Sequence, residues 1–95
     1  MRRAARTDGN QGAIVDALRA IGATVCSLAA CGKGIPDLLI GYRAHNYLIE
    51  VKNPDKPAAD RALTDDQVIW HDGWQGVVHV VETPAQALQV VRGSV

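Results

Sequence analysis

The fold of this chain is decided by residues 34–52, Gly-Ile-Pro-Asp-Leu-Leu-Ile-Gly-Tyr-Arg-Ala-His-Asn-Tyr-Leu-Ile-Glu-Val-Lys. Two apolar runs, residues 38–40 and 47–51, flank a polar connector that contains a glycine. This pattern predicts a β-hairpin with a loop of about four to six residues. Antiparallel pairing would place Asp37, at the start of the first strand, beside Glu50, near the end of the second.

Two carboxylates and one amine would converge at this end of the hairpin. Because strand side chains alternate, Glu50 and Lys52 face one way and Val51 faces the other. Carboxylates a few ångströms apart repel each other, and a divalent cation removes that repulsion. Mg²⁺ suits such a site, with waters and a substrate phosphate as further ligands, and Lys52 could then stabilise developing negative charge. The competing interpretation is an exposed trio in which Glu50 and Lys52 form a surface ion pair.

These residues resemble the signature of the PD-(D/E)xK nuclease superfamily, with Pro36-Asp37 as its first half and Glu50-Val51-Lys52 as its second. The longer string, with residues 63–67 (Leu-Thr-Asp-Asp-Gln) and Trp70-His71 downstream, is similar to the VRR-NUC family, in particular its small stand-alone phage-type members. The resemblance covers roughly residues 10–92, nearly the whole chain. It implies an α/β fold like that of restriction endonucleases, a mixed sheet flanked by helices in the order α-β-β-β-α-β-α.

The resemblance also implies roles for individual residues. Asp37, Glu50 and the backbone carbonyl of Val51 would hold Mg²⁺ or Mn²⁺. Lys52 would position the attacking water or stabilise the pentacovalent charge. Gln67 would align the nucleophile.

The first helix departs from the related proteins. Apolar residues at helical spacing predict this helix over residues 10–21, with Asn10 or Asp8 as N-cap and Gly22 as the left-handed stop. In the related archaeal Holliday-junction resolvases, a glutamate on this helix helps to bind the metal, and Gln11 occupies that position here. A third carboxylate is therefore missing. Gln11 is a weaker, neutral candidate ligand that could instead orient a metal-bound water.

Gln67 has two explanations, which the sequence leaves open. Thr64 as N-cap and Gln67 at the third helical position form a capping box, which is a structural reason for the glutamine. The resemblance gives the same side chain an active-site role. On the same helix, the apolar bulk of residues 68–70 is predicted to lie in the core. His71 is as compatible with a surface or packing role as with a catalytic one.

Local patterns predict the remaining elements. A strand is expected over residues 23–28 and another over residues 77–81, the latter from its run of β-branched residues. Two prolines indicate an irregular loop over residues 53–62. Thr83 followed by a proline predicts a capped last helix, which Gly93 ends.

Four basic residues are candidate contacts to a nucleic-acid backbone: Lys33, Arg43, Lys56 and Arg61. Lys33 lies in a glycine-flanked loop before Asp37, and Lys56 and Arg61 lie in the loop that follows the predicted site. A flexible turn and a surface linker explain these segments equally well. Residues 1–9 carry three further arginines and are predicted to be a flexible basic arm.

The composition bounds the class of protein. A chain of 95 residues forms one domain, predicted over residues 10–95, and its small core favours a homodimer. The cysteines lack partners at zinc-site spacing, and no apolar stretch is long enough to span a membrane, so a cytoplasmic protein is expected. The resemblance to phage-type members implies the cytoplasm of a bacterium or of a phage-infected host cell. A formal net charge of zero disfavours strong nonspecific binding to nucleic acid, although local patches can outweigh the sum.

The motif and the resemblance together imply a Mg²⁺- or Mn²⁺-dependent deoxyribonuclease, an endonuclease that hydrolyses phosphodiester bonds in DNA. A preference for structured or branched DNA follows from the resemblance alone. The alternative is a catalytically silent nucleic-acid-binding module of the same fold, which the missing carboxylate at Gln11 leaves open. A purely structural dimerisation domain is a third interpretation.

Overall fold

The computed structural model describes residues 9–93, so the predicted basic arm, except for Gly9, lies outside the described residues. This part of the chain contains four helices and four strands, with a 3-10 turn at Ala29–Cys31. The helices are α1 (Gln11–Ala20), α2 (Ala58–Arg61), α3 (Asp65–Gly73) and α4 (Pro84–Arg92). The strands are β1 (Thr24–Ser27), β2 (Leu38–Tyr42), β3 (His45–Val51) and β4 (Val78–Val81).

The strands form one mixed sheet in the order β1-β2-β3-β4. β2 pairs antiparallel with both β1 and β3, whereas β3 and β4 are parallel. A parallel pair needs a crossover connection, which α2 and α3 provide. The predicted mixed sheet flanked by helices is confirmed, and α2 is an addition to the predicted order of elements.

One face of the sheet carries the hydrophobic core. Side chains from β2, β3 and β4 pack there against apolar side chains of α1 and α4. Each fully buried aliphatic side chain contributes about 1.5–3 kcal/mol, so a core without phenylalanine can still be stable. The buried residues are Ile14, Leu18, Ala23, Leu38, Ile40, Ile49, Val51, Val81, Ala87 and Val91.

The opposite face of the sheet is covered by α3 only in part. No residue of α3 is buried, and Val68 and Ile69 are 43% and 71% exposed. The prediction that these two residues fill the core is therefore wrong, whereas Trp70 is half-buried. The reason is the orientation of the helix: Gln67 and His71, one turn apart, face the sheet, and Val68 and Ile69 point away from it.

The central hairpin forms as predicted but closes more tightly. β2 and β3 stay paired up to Tyr42 opposite His45, so Arg43 and Ala44 alone form the turn. Both have positive φ angles, 51° and 67°, as a type I′ turn requires. The predicted loop of four to six residues is wrong, because the polar residues beside the turn extend the strands.

A short helix replaces part of the irregular loop predicted over residues 53–62. Pro57 is the N-cap of α2, with φ −55° and ψ 154°. Proline suits the start of a helix, because its missing N–H would have no helical partner there. The prediction of irregular structure is therefore wrong over Ala58–Arg61.

The first and last helices agree with the sequence predictions. α1 ends just before Gly22, whose φ is +93°. At the start of α4, Thr83 Oγ1 accepts a hydrogen bond from the backbone N–H of Gln86, and Gly93 follows the last turn. Within residues 9–93, none of the helices combines the length and the apolar character that crossing a membrane would require.

Candidate active site

Pairing within the hairpin brings the two predicted acids together. The register places Leu38 opposite Ile49, and continuing it by one residue places Asp37 opposite Glu50. Residues opposite each other share a face of the sheet. The carboxylate of Asp37 is held there, because its Oδ2 accepts a hydrogen bond from the backbone N–H of Val51 at 2.7 Å.

Glu50 and Lys52 are buried, with exposed fractions of 2% and 7%. Charged side chains are rarely buried unless they are paired or bind a ligand, because removing each ion from water costs several kcal/mol. The interpretation of Glu50 and Lys52 as an exposed surface ion pair is therefore wrong. Both side chains lie beneath α3 and contact it.

Gln67 links the buried acid to the buried amine. Its Nε2 donates a hydrogen bond to Glu50 Oε2 at 3.0 Å, and its Oε1 accepts one from Lys52 Nζ at 2.7 Å. An amide carries both donors and an acceptor, so it can satisfy the two charges at once. A carboxylate at this position would repel Glu50, and an amine would repel Lys52.

The same side chain also closes the capping box of α3. Gln67 Oε1 accepts a second hydrogen bond from the backbone N–H of Thr64 at 2.9 Å, and Thr64 Oγ1 accepts one from the backbone N–H of Gln67 at 3.2 Å. A carbonyl oxygen has two lone pairs and can accept both bonds. The cap and the contact with the acids therefore coexist, and the predicted catalytic role of Gln67 stays a prediction.

The loop before Asp37 fixes the first turn of α3. Gly34 has φ +80°, and a Cβ at this residue would lie 2.2 Å from the carbonyl oxygen of Asp66. Only glycine permits so close an approach between two backbones. The position of Gln67 is thus set by the loop on one side and by the sheet on the other.

His71 is a further α3 residue at the buried acid. It lies one helical turn after Gln67, so the two side chains share one side of the helix. His71 Nε2 is 3.8 Å from Glu50 Oε1, and the His71 side chain is 14% exposed. The sequence left the place of His71 open. The i, i+4 spacing of two polar residues beginning at Gln67 is the signal that could have placed it.

The N-terminus of α1 reaches the same end of the sheet. Asn10 Nδ2 donates hydrogen bonds to the backbone oxygens of Lys52 at 3.0 Å and of Glu82 at 2.7 Å. Asn10, one of the two predicted candidates, is the N-cap residue, but its side chain makes no capping bond. It joins α1 to the ends of β3 and β4 instead, a contact that sequence reasoning missed. The next residue, Gln11, is buried, and its Oε1 has no hydrogen-bond partner.

The donor set fits a hard divalent cation. Asp37 and Glu50 supply carboxylates, and Gln11, which follows the Asn10 that contacts the end of β3, has a buried amide oxygen without a partner. The N–H and C=O of a strand residue point to the same neighbouring strand, so the Val51 carbonyl points to the side of Asp37. Mg²⁺ and Mn²⁺ prefer such oxygen ligands. Residues 9–93 hold no group of three or more His, Cys, Asp or Glu side chains suited to a metal, so carbonyl, water or phosphate oxygens would have to complete the ligands.

Two of the four predicted phosphate contacts lie close along the chain to the site. Lys33 is exposed in the loop before Asp37, with φ 57° between two glycines of positive φ. Lys56 is exposed in the segment after Lys52. These two lysines come from different loops and adjoin the two halves of the acid and amine cluster.

The two predicted arginine contacts are placed differently. Arg61 Nη1 lies 3.8 Å from Glu82 Oε2, which gives this arginine a partner within the chain. Arg43 is at the hairpin turn, with its guanidinium 5.2 Å from the centre of the Tyr42 ring. The turn is roughly 20 Å from Asp37 at about 3.4 Å per strand residue. The structure therefore does not bring Arg43 to the acids.

Comparison with known proteins gives one informative match in fold. No family model and no curated protein sequence matches the chain. The chain is similar to a solved structure described as a VRR_NUC domain, with a TM-score of 0.63 and 23% sequence identity. The alignment covers 90% of this chain and 92% of that one. At this identity the match shows a common fold, and the fold that the sequence resemblance implied is confirmed.

Proposed function

We propose that this protein is a nuclease of the VRR-NUC family, a Mg²⁺- or Mn²⁺-dependent endonuclease that hydrolyses phosphodiester bonds in DNA. The observation that carries the proposal is the buried pair of Glu50 and Lys52, joined by Gln67. Stability alone does not require such a pair, because replacing a buried ion pair by apolar residues of similar volume often leaves the stability of the protein unchanged or raises it. The similarity in fold to a VRR_NUC domain supports the same function.

Asp37 and Glu50, with the carbonyl of Val51 and the amide oxygen of Gln11, would hold the cation. A bound divalent cation would polarise the substrate phosphate and make a bound water molecule more acidic. The protein prepares this chemistry by fixing its oxygens in advance. The Val51 N–H holds the carboxylate of Asp37, and Gln67 holds that of Glu50. Groups fixed before the reaction need no reorganisation while it proceeds.

Lys52 would act on the charge that develops at the phosphate. Gln67 Oε1 fixes the direction of its ammonium group and uses one of its three N–H donors. Another donor can then reach a phosphate oxygen or the attacking water. In this arrangement Gln67 positions two site residues at once.

The substrate that we propose is structured or branched DNA, bound mainly through its phosphates. Lys33 and Lys56 are exposed on the two loops next to the acids, and phosphate contacts position a nucleic acid without reading its bases. A neutral chain relies on such local charges rather than on its net charge. The compartment we propose is the cytoplasm of a bacterium or of a phage-infected host cell.

We propose that the protein acts as a homodimer in which a second copy covers the outer side of α3. Ile69 and Val77 are 71% and 68% exposed. Trp74 and Val77 line an apolar groove of about 650 Å³ above the sheet. Exposed apolar surface that runs from a helix to the neighbouring strand is typical of a protein interface. We propose that a second copy of the chain covers this surface. No residue of α3 is buried, and a chain of 95 residues forms only a small core of its own, so dimerisation would bury additional apolar area.

Cleavage of plasmid and branched DNA by the purified protein tests the proposed activity. We expect cleavage with Mg²⁺ or Mn²⁺ and none with EDTA. Lys52→Ala should abolish cleavage, whereas Arg19→Ala, an exposed basic residue in the last turn of α1, should leave it unchanged. If plasmid and branched DNA both remain intact with Mg²⁺ and with Mn²⁺, the proposed nuclease activity is refuted.

The second candidate is a module of the same fold that binds nucleic acid without cleaving it. Gln11 favours it, because a neutral amide stands where the related resolvases carry a metal-binding glutamate. Such a module would shift DNA in a gel with EDTA present and would never cut it. A structural dimerisation domain would give neither result, even at low salt.

A further inference from the structure

Helix α3 presents two side chains to the same buried carboxylate. Gln67 Nε2 donates to Glu50 Oε2 at 3.0 Å, and His71 Nε2 lies 3.8 Å from Glu50 Oε1. Residues at i and i+4 are neighbours on one side of a helix. Two consecutive turns of α3 thus each place a side chain beside one of the two oxygens of the Glu50 carboxylate.

We propose that His71 is a positioning residue, which fixes the orientation of the Glu50 carboxylate by donating a hydrogen bond from Nε2 to Oε1 when a metal ion binds. The inference rests on the proposed metal-dependent function. His71 would hold the Glu50 oxygen to which Gln67 does not donate. Gln67 Nε2 holds Oε2, and a bond to Oε1 from the next turn of α3 would fix the plane of the carboxylate.

The surroundings of His71 favour this role over simple packing. Its Nε2 is buried and has no hydrogen-bond partner, although the imidazole lies beside an acid. A buried polar atom without a partner costs about 1–3 kcal/mol, so its presence needs a reason. In ligand-free enzymes the hydrogen bonds of a site are often long and tighten only in the working complex. The distance of 3.8 Å fits a contact of this kind.

Packing alone would place a different residue here. α3 carries Val68 and Ile69 on its exposed sides, while a polar imidazole occupies the side that faces the sheet. A helix held to the sheet by hydrophobic contact would show the reverse arrangement. Gln67 and His71 therefore lie where the buried charges need partners, and the three aspartates of α3 are exposed.

Binding of Mn²⁺ to the protein without DNA tests the proposal independently of catalysis. Free Mn²⁺ is measured by electron paramagnetic resonance for the unaltered protein, His71→Leu, His71→Gln and the control His45→Leu. His45 is exposed at the hairpin turn, so its replacement should not change binding. Losing a residue that orients a metal ligand weakens binding about 10–100-fold, and we expect about tenfold for His71→Leu.

His71→Gln separates positioning from other roles. The glutamine at position 67 already reaches Glu50 from the neighbouring turn, so a glutamine at position 71 can donate to Oε1 and should restore binding to within about threefold. Equal affinity for His71→Leu and the unaltered protein would overturn the inference. So would a His71→Gln variant as weak as His71→Leu, which would point to direct ligation by the imidazole.

Two further controls keep the outcomes distinct. If circular dichroism shows that His71→Leu does not fold, His71→Met provides an apolar side chain that adapts more easily. An unaltered protein that binds no Mn²⁺ overturns the proposed metal-dependent function together with this inference. If the unaltered protein binds Mn²⁺ and the folded apolar variant binds it equally well, the role of His71 alone is overturned.

Discussion

Gly34 allows α3 to be displaced without altering any side chain of the candidate site. In Gly34→Ala, the new Cβ would lie 2.2 Å from the carbonyl oxygen of Asp66 and 2.8 Å from the backbone nitrogen of Gln67. Van der Waals contact requires roughly 3.5 Å, so the loop and the helix must separate by about 1 Å or more. Backbone atoms form the obstacle, and no change of rotamer relieves it.

A displacement of about 1 Å is enough to break the contacts of Gln67. Its bonds to Lys52 and Glu50 measure 2.7 Å and 3.0 Å, and lengthening by about 1 Å takes both beyond hydrogen-bonding range. Misplacing a catalytic group by about 1 Å costs about 100-fold in rate, or about 2.7 kcal/mol of transition-state stabilisation. We therefore expect Gly34→Ala to cleave DNA about 100-fold more slowly than the unaltered protein.

Gly32→Ala is the matched control for this prediction. Gly32 lies in the same loop with φ +63°, but a Cβ there would meet no atom within 4 Å. Both variants carry backbone strain of about 1–3 kcal/mol, which urea unfolding measures, and only Gly34→Ala pushes against α3. The assay is the single-turnover cleavage rate at saturating Mn²⁺. Equal rates for the two alanine variants would refute the reasoning.

Three other outcomes concern the cap of α3, the proposed dimer and the proposed metal ligands. Thr64→Ala should lower the free energy of unfolding by about 1 kcal/mol and leave most of the cleavage rate, whereas Gln67→Ala should lose about 100-fold in rate; similar rates for the two variants would contradict this. If the protein is the proposed dimer, Ile69→Asp should convert it to a monomer in light scattering, whereas Asp72→Asn should not; a monomeric unaltered protein would disprove the interface. Gln11→Glu should tighten Mn²⁺ binding about tenfold by adding a carboxylate, and unchanged affinity would exclude residue 11 as a ligand.

The hairpin and the helix ends could be predicted because local patterns determine them. Two apolar runs around a polar connector set the pairing, and the pairing alone places Asp37 opposite Glu50. The capping box that begins at Thr64 is likewise a matter of spacing. The turn could not be predicted, since type I′ turns are usually signalled by Asn-Gly or Asp-Gly, and Arg43-Ala44 matches neither.

The orientation of α3 shows what a single sequence leaves undetermined. Their apolar character predicts Val68 and Ile69 in the core, yet they are exposed. The face of the sheet beneath α3 carries a buried acid and a buried amine, which need polar partners. Gln67 and His71 provide them by facing the sheet. Which side a helix turns inward depends on the surface that receives it, and that surface comes from residues distant in the chain.

The docking of α3 and the assembly of the site are one event, because polar contacts rather than core packing hold this helix. Elements with few buried apolar contacts open at a lower free energy than the core does, so the site should come apart while the sheet stays folded. A second copy over Ile69 and Val77 would oppose this opening, since each 100 Å² of apolar area removed from water adds about 2.5 kcal/mol. Activity per chain should therefore fall when the protein is diluted below the dissociation constant of the dimer. A rate per chain that stays constant through that dilution would show that the site does not depend on the proposed dimer.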